Sequence, residues 1–215
     1  EKLNMRARSS HNFTTADLPE IVTVCRKNGL KSYLTLNIVV FDDEIREMKE
    51  VLAAAAAAGI TAVIDTDQAA ILAAREAVVE VPLSTQLNIS NSGAVKFYAE
   101  WADVVVLSRE LNLMQVRTIY DSIVSDDIRG PGGDLIRLEM FVHGALCMAI
   151  SGKCYLSLHE YNKSANRGEC YQLCRRSYVV TDRETGFELG IDNEFIMSPK
   201  DLCTIGFIDK IIESG

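Results

Sequence analysis

Residues 32–65, SYLTLNIVVFDDEIREMKEVLAAAAAAGITAVID, carry the pattern that sets the fold. The opening run from Ser32 to Val40 is β-branched and mostly apolar, as a strand buried on both faces must be. Asp42 and Asp43 place negative charge where the free N–H groups of a helix start favour it. The helix is predicted to run through Ala53 to Ala58 and to stop at Gly59. The alanines read as helix propensity and close packing rather than as a linker. Ala62 to Asp65 is then a second strand. Two strands joined by one helix form a β-α-β unit, whose strands lie parallel.

The same rhythm extends in both directions. Upstream, Thr14, Thr15 and Asp17 cap a helix with an apolar face of Leu18, Ile21, Val22 and Cys25, and Gly29 ends it. Downstream, a helix over about 68–78 precedes a strand from Pro82 to Gln86. A helix from Ser92 to Trp101, a strand from Asp103 to Leu107, a helix from Leu113 to Ile123 and a strand from Leu135 to Val142 follow. Another strand is predicted over Glu194 to Met197. Doubly wound and barrel arrangements both use such units, but no early strand is followed by a Gly-rich phosphate loop. The fold class is therefore α/β, of the β/α (TIM-type) barrel kind. A complete barrel usually takes about 250 residues, so the 215 here are expected to hold an incomplete one. The start at Glu1 and the end at Gly215, just past an apparent helix, suggest part of a longer chain. Residues 1–150 read as barrel units, 151–192 as a Cys-rich loop and hairpin insertion, and 193–215 as a return to the barrel. The hairpin is drawn from Tyr178-Val179-Val180 and Phe187-Glu188-Leu189 around the turn Glu184-Thr185-Gly186.

Composition sets limits on function. The chain is 48% hydrophobic and 24% charged, ordinary for a globular protein. No apolar run approaches the roughly 20 residues that cross a bilayer, and no segment reads as a signal peptide. Cysteines in a regular α/β chain without a signal point to a reducing cytoplasm. A net charge of −8 excludes nucleic-acid binding through the whole surface. Yet Ser151 to Arg183 holds six Lys or Arg against three acids, a basic stretch inside an acidic chain. Nothing in the pattern sets an oligomeric state.

Polar residues gather where the predicted strands end, the face that carries active sites in β/α barrels. These are Asn37; Thr85, Gln86 and Asn88; Ser108, Arg109 and Glu110; and His143. Just beyond lie Cys147, Cys154, Cys170 and Cys174, spaced C-x6-C-x15-C-x3-C, whereas Cys25 and Cys203 stand apart. Four thiols in one irregular region are a metal-site pattern. Zinc, an iron–sulfur cluster and four unrelated thiols are all compatible with it. Gaps longer than a C-x2-C knuckle suit the wider footprint of a 4Fe–4S cluster. Asn166, Arg167, Arg175 and Arg176 flank the cysteines, and such groups suit an anionic co-substrate or a nucleic-acid backbone.

The stretch Glu139 to Ser157, EMFVHGALCMAISGKCYLS, closely resembles the signature of the U32 peptidase family. Glu139, Phe141, Gly144, Ala145, Leu146, Cys147, Gly152, Cys154, Leu156 and Ser157 fill its fixed positions. Ser84 to Asn88, Leu107 to Leu111, Ser164 to Cys170 and Ser198 to Cys203 are similar to the family as well. Ser125 to Asp134 is longer than the resemblance leads one to expect. The resemblance implies a β/α barrel with further strands on both sides of this chain. It implies one of two activities: collagenase-like proteolysis, or hydroxylation of tRNA uridine, 23S rRNA cytidine or ubiquinone by members tied to iron–sulfur clusters. It also implies that the four clustered cysteines are the cluster ligands.

The residues weigh these activities differently. The chain has no Gly-x-Ser-x-Gly elbow and no His-Glu-x-x-His, since Tyr161-Asn162-Lys163 follows His159-Glu160. A peptidase would rest on a Cys147–His143 dyad over one helical turn, which competes with Cys147 as a metal ligand. RNA hydroxylation uses more of the pattern. His143 and Glu110 are then candidate catalytic groups, and Gln86, Asn88, Arg109, Asn166, Arg167 and Arg175 candidate substrate contacts, with tRNA or rRNA as partner. A third reading is a binding module with a structural metal.

Overall fold

A computed structural model of the chain describes residues 3–5, 7, 11–191 and 201–215. It contains helix α1 (Leu18–Lys27), strand β1 (Tyr33–Leu36), α2 (Ile45–Ala58), β2 (Ala62–Asp65), α3 (Gln68–Glu76) and β3 (Pro82–Leu83). Then come α4 (Ser92–Tyr98), β4 (Val104–Val106), α5 (Leu113–Ser125) and β5 (Arg137–Glu139). Strands β1 to β5 form one parallel five-stranded sheet in the order β1-β2-β3-β4-β5. The protein is thus α/β, with every carboxyl strand end on one edge of the sheet.

The helices form where the sequence supplies caps and one apolar face. In α2, Met48, Leu52 and Ala55 are buried, a 4-then-3 spacing that places one stripe on the sheet. Its end is fixed by Gly59 at φ 76°, where a Cβ would meet the Arg26 guanidinium. Asp67 caps α3 by accepting from the Ala69 amide at 2.9 Å. Asn112 and Gln115 cap α5 reciprocally at 3.0 and 2.9 Å. Val116, Ile119 and Ile123 are the buried stripe of α5.

Several strands are shorter than their apolar runs. The run predicted as Ser32 to Val40 keeps the ladder only over Tyr33–Leu36, because its partner β2 has only four residues. Beyond it the backbone turns to other partners: Val39 N–H donates to the Asn166 carbonyl at 3.3 Å and Val40 N–H to Asp67 at 3.1 Å. The run after Pro82 ends early because the Ser84 hydroxyl caps a 3-10 turn over Thr85–Leu87. The segment 125–134 packs on Asp103, whose carboxylate accepts from the Gly132 amide at 2.7 Å. A Cβ on Gly130 would come within 2.8 Å of the Asp103 Cα, so glycine is required at that approach.

The remaining elements are non-local. His143–Gly144 (β6) pairs antiparallel with Leu202–Cys203 (β9). The predicted hairpin is present as Tyr178–Thr181 (β7) against Glu188–Ile191 (β8). Short helices α6 (Leu156–Tyr161) and α7 (Ile208–Glu213) complete the described residues. The strand expected over Glu194 to Met197 lies outside the described residues.

One core residue breaks the apolar rule. Asp65, the last residue of β2, is fully buried, and neither carboxylate oxygen has a hydrogen-bond partner. Burial, reinforced by the Asp67 charge, holds its pKa well above the usual carboxylate range. At low pH the group is protonated in both folded and unfolded chains. As pH rises past the ordinary carboxylate range, the unfolded chain gains by ionising and the fold loses stability, until folded Asp65 ionises too. Asp65→Asn removes this dependence, so its urea midpoint is expected to gain on that of the native protein as pH rises from about 4 to about 8. Parallel midpoints over that range contradict the assignment.

Candidate functional site

The carboxyl ends of the sheet strands and the irregular segment after β5 enclose a cavity of about 560 Å³. Thr35 and Asn37 face it from the end of β1, Gln86 from the turn after β3, Arg109 from the turn after β4 and Glu139 from β5. Cys147, Cys154, Cys170 and Cys174 line it too, together with His143 and Asn166. The rest of the lining is largely apolar, including Ile64, Val106, Leu156 and Leu173. Residues up to 27 positions apart in sequence thus bring their thiols to one space.

All four are free thiols, as are Cys25 and Cys203. The Cys174 thiol is pushed up in pKa, first by burial and then by its neighbours Cys147 and Cys170, with Cys154 contributing and Arg175 opposing. All four residues line the same cavity. Among the described residues, no three His, Cys, Asp or Glu side chains converge on a position for a single metal ion. A tetrahedral zinc with bonds of about 2.3 Å requires such convergence. A polynuclear cluster spreads its thiolate ligands over a larger body.

Polar clamps hold the cysteine segments in place. Arg109 donates to Ser151 Oγ at 3.0 Å, to the Cys147 carbonyl at 3.2 Å and to the Ala149 carbonyl at 2.8 Å. Asn88, in the left-handed region at φ 53°, donates to the Ser151 carbonyl at 3.0 Å and to the Gln86 carbonyl at 2.8 Å. Gly152 lies so near the turn after β3 that a Cβ there would stand 3.2 Å from Gln86 Cβ, and its φ is +73°. The second segment is tied likewise. Arg167 makes a two-pronged ion pair with Glu44, one arm at 2.6 Å, and stacks over the Phe41 ring at 4.1 Å. Their bond holds the Glu44 carboxyl below its usual range and Arg167 above its own. Arg175 donates to the Leu146 carbonyl at 3.2 Å and to Asp201 at 2.9 Å.

The cavity therefore unites Gln86, Arg109, His143, Asn166 and the four cysteines. Asn88, Glu110, Arg167 and Arg175 lie outside its lining. Glu110 is exposed and accepts from the Ser108 hydroxyl, which is the main cause holding its carboxyl below the usual range. Asn166 offers its backbone carbonyl to Val39, and its side-chain oxygen is buried without a partner. His143 lies in β6 and residues 145–150 form no helix, so the expected one-turn Cys147–His143 geometry is absent. No hydrogen bond joins the two residues among those described. Gly152 was legible as a fixed position of the signature, but its close approach to Gln86 was not, and the bracing role of Ser151 escaped the sequence reading.

Fold and site define an α/β protein with a four-cysteine cavity at the carboxyl ends of a parallel sheet. The profile of peptidase family U32 matches residues 1–215, and the chain belongs to that family. It is 60% identical over 215 residues to a collagenase of Porphyromonas gingivalis, covering 100% of this chain and 52% of that relative. It is 35% identical to tRNA hydroxylation protein P1 of Bacillus subtilis, over 96% of this chain and 48% of the relative. It is 32% identical to a 23S rRNA 5-hydroxycytidine synthase of Escherichia coli, over 97% of this chain and 30% of the relative. The chain spans about half the length of most curated relatives it matches. No solved structure matches it significantly. No helix among the described residues is long and apolar enough to cross a membrane.

The clamp carries a prediction. Arg109→Lys keeps the charge but cannot make three directed bonds from one plane. Freed carbonyls and a loosened Cys147 segment are expected to cost about 1–3 kcal/mol in stability. Cys147 is also expected to react several-fold faster with a thiol reagent. Unchanged melting and unchanged labelling of Cys147 would show that Arg109 holds nothing.

Proposed function

We propose that this chain is the catalytic part of an iron–sulfur protein that hydroxylates a pyrimidine base of RNA. The observation that carries the reading is the meeting of four thiols and several amide and cationic side chains at one cavity on the sheet's carboxyl edge. Cys147, Cys154, Cys170 and Cys174 would hold a 4Fe–4S cluster. Such a cluster supplies electron transfer and activation of an oxygen donor. The protein's own residues do the rest. The largely apolar walls exclude water, and Gln86 and His143 contact the base. Arg109 fixes the cysteine segment and balances negative charge where a small anionic co-substrate would enter. The reaction class replaces a ring C–H by C–OH: an oxygen-bearing anionic co-substrate would give up its hydroxyl and take the displaced hydrogen, being reduced by two electrons as the base is oxidised by two. The relatives named for tRNA and 23S rRNA hydroxylation support it.

The consecutive strand order supports a TIM-type barrel as the frame, because a doubly wound sheet reverses its order at a switch point. Residues 1–150 then supply barrel units, and 151–192 form the Cys-rich insertion and hairpin. The working compartment is the reducing cytoplasm. Proteolysis is the second reading, favoured by the collagenase at 60% identity. The missing Cys147–His143 contact weighs against a nucleophilic cysteine there.

The test is made in cells lacking the full-length protein. Total RNA is expected to lose one hydroxylated pyrimidine nucleoside by mass spectrometry. The native gene restores it and a Cys170→Ala gene does not. An unchanged nucleoside profile, together with cleavage of denatured collagen abolished by Cys147→Ala, would put the peptidase in its place.

A further inference from the structure

Helix α6 has two faces with different chemistry. Leu156 lines the cavity, and Ser157 is buried with its hydroxyl accepting from the Tyr171 amide at 3.0 Å. Tyr155, 67% exposed, immediately precedes the helix and Tyr161, 47% exposed, ends it, with Tyr171, 45% exposed, beside Tyr161. Tyrosine rings in this number are normally buried or partnered. Here Tyr161 and Tyr171 lie 5.2 Å apart between centroids. Arg176 stands over the Tyr161 ring at 5.5 Å and donates to its hydroxyl at 2.7 Å. Lys153, His159 and Lys163, close to the tyrosines in sequence, are exposed. The acids on the same surface are Glu160, beside His159, and Glu169, which pairs with Lys163 at 3.5 Å. The residues also flank the thiols: Tyr155 follows Cys154, Tyr171 follows Cys170, and Arg176 lies two residues after Cys174.

We infer that this tyrosine and cation surface on α6 is a docking platform for single-stranded RNA, seating the nucleotides next to the one in the cavity. Exposed rings and a guanidinium plane stack on unpaired bases, and every base has a face to offer. Lysines interleaved with them meet the phosphates. A duplex hides its base faces and offers nothing for the rings to stack on. An acidic peptide would use the cations but leave the rings idle. The exposed Lys153, Lys163 and Arg176 supply local positive charge in a chain of net charge −8.

The platform deepens the RNA reading and rests on it, but it is tested separately. The full-length protein is titrated with a short fluorescein-labelled single-stranded RNA, with the same RNA as duplex and polyglutamate as competitors. Tyr155→Ala is expected to weaken binding about tenfold while iron content and melting stay unchanged. Tyr155→Phe is expected to stay within about twofold of the native protein. Lys163→Glu is expected to weaken binding and flatten its salt dependence by about one ion. Native affinity in both Tyr155→Ala and Lys163→Glu overturns the platform, even if the cells still make the hydroxylated nucleoside. Displacement of the RNA by polyglutamate as readily as by unlabelled RNA also overturns it, in favour of a surface for acidic peptides. Tyr155-dependent binding without any hydroxylated nucleoside leaves the platform standing and removes the hydroxylation reading.

Discussion

The site depends on the three bonds from the Arg109 guanidinium to the segment carrying Cys147. Between Ala145 and Tyr155 the chain has neither helix nor strand, so its peptide groups lack the regular partners that secondary structure supplies. A planar cation with five donors can satisfy several carbonyls at once from one anchor. That anchor comes from the turn after β4, so the sheet's edge positions the cysteine segment directly. Asn88 repeats the device from the turn after β3, and Arg175 from within the cysteine region itself. Without such donors, an irregular segment beside an open cavity would have little reason to keep two thiols pointed at one space.

The basic residues divide into two sets with different duties. Arg109, Arg167 and Arg175 spend their donors on carbonyls and carboxylates of the protein. Lys153, Lys163 and Arg176 are exposed. A count of charge over 151–183 merges the two sets. The structure separates the cations that brace the cysteine segments from those that stay exposed.

Much of the architecture was legible in residues 32–65, where apolar runs and capped, alanine-rich helix turns repeat with unbroken rhythm. The errors share one physical origin. Apolar runs such as Ser32 to Val40 continue past the sheet because Ile38 still packs in the core after the ladder has ended. Hydrophobicity reports burial and cannot mark where hydrogen-bond pairing stops. The β6–β9 pair joins two-residue segments about 60 positions apart and leaves no local signature. The four cysteines were legible as a set because they crowd one short stretch. The bracing role of Arg167 was not, since its partner Glu44 lies 123 residues away and any surface arginine reads alike in sequence. Asp65 ended a strand whose other residues fit a buried core, and only the fold shows that it is buried with them.

The central claim is that the clamped thiols form one cluster site, and metal analysis tests it most directly. Full-length protein purified without oxygen should contain about four irons and about four acid-labile sulfides per chain, and Cys170→Ala should lose them. Protein free of iron and sulfide, with all four thiols open to titration, would contradict the account.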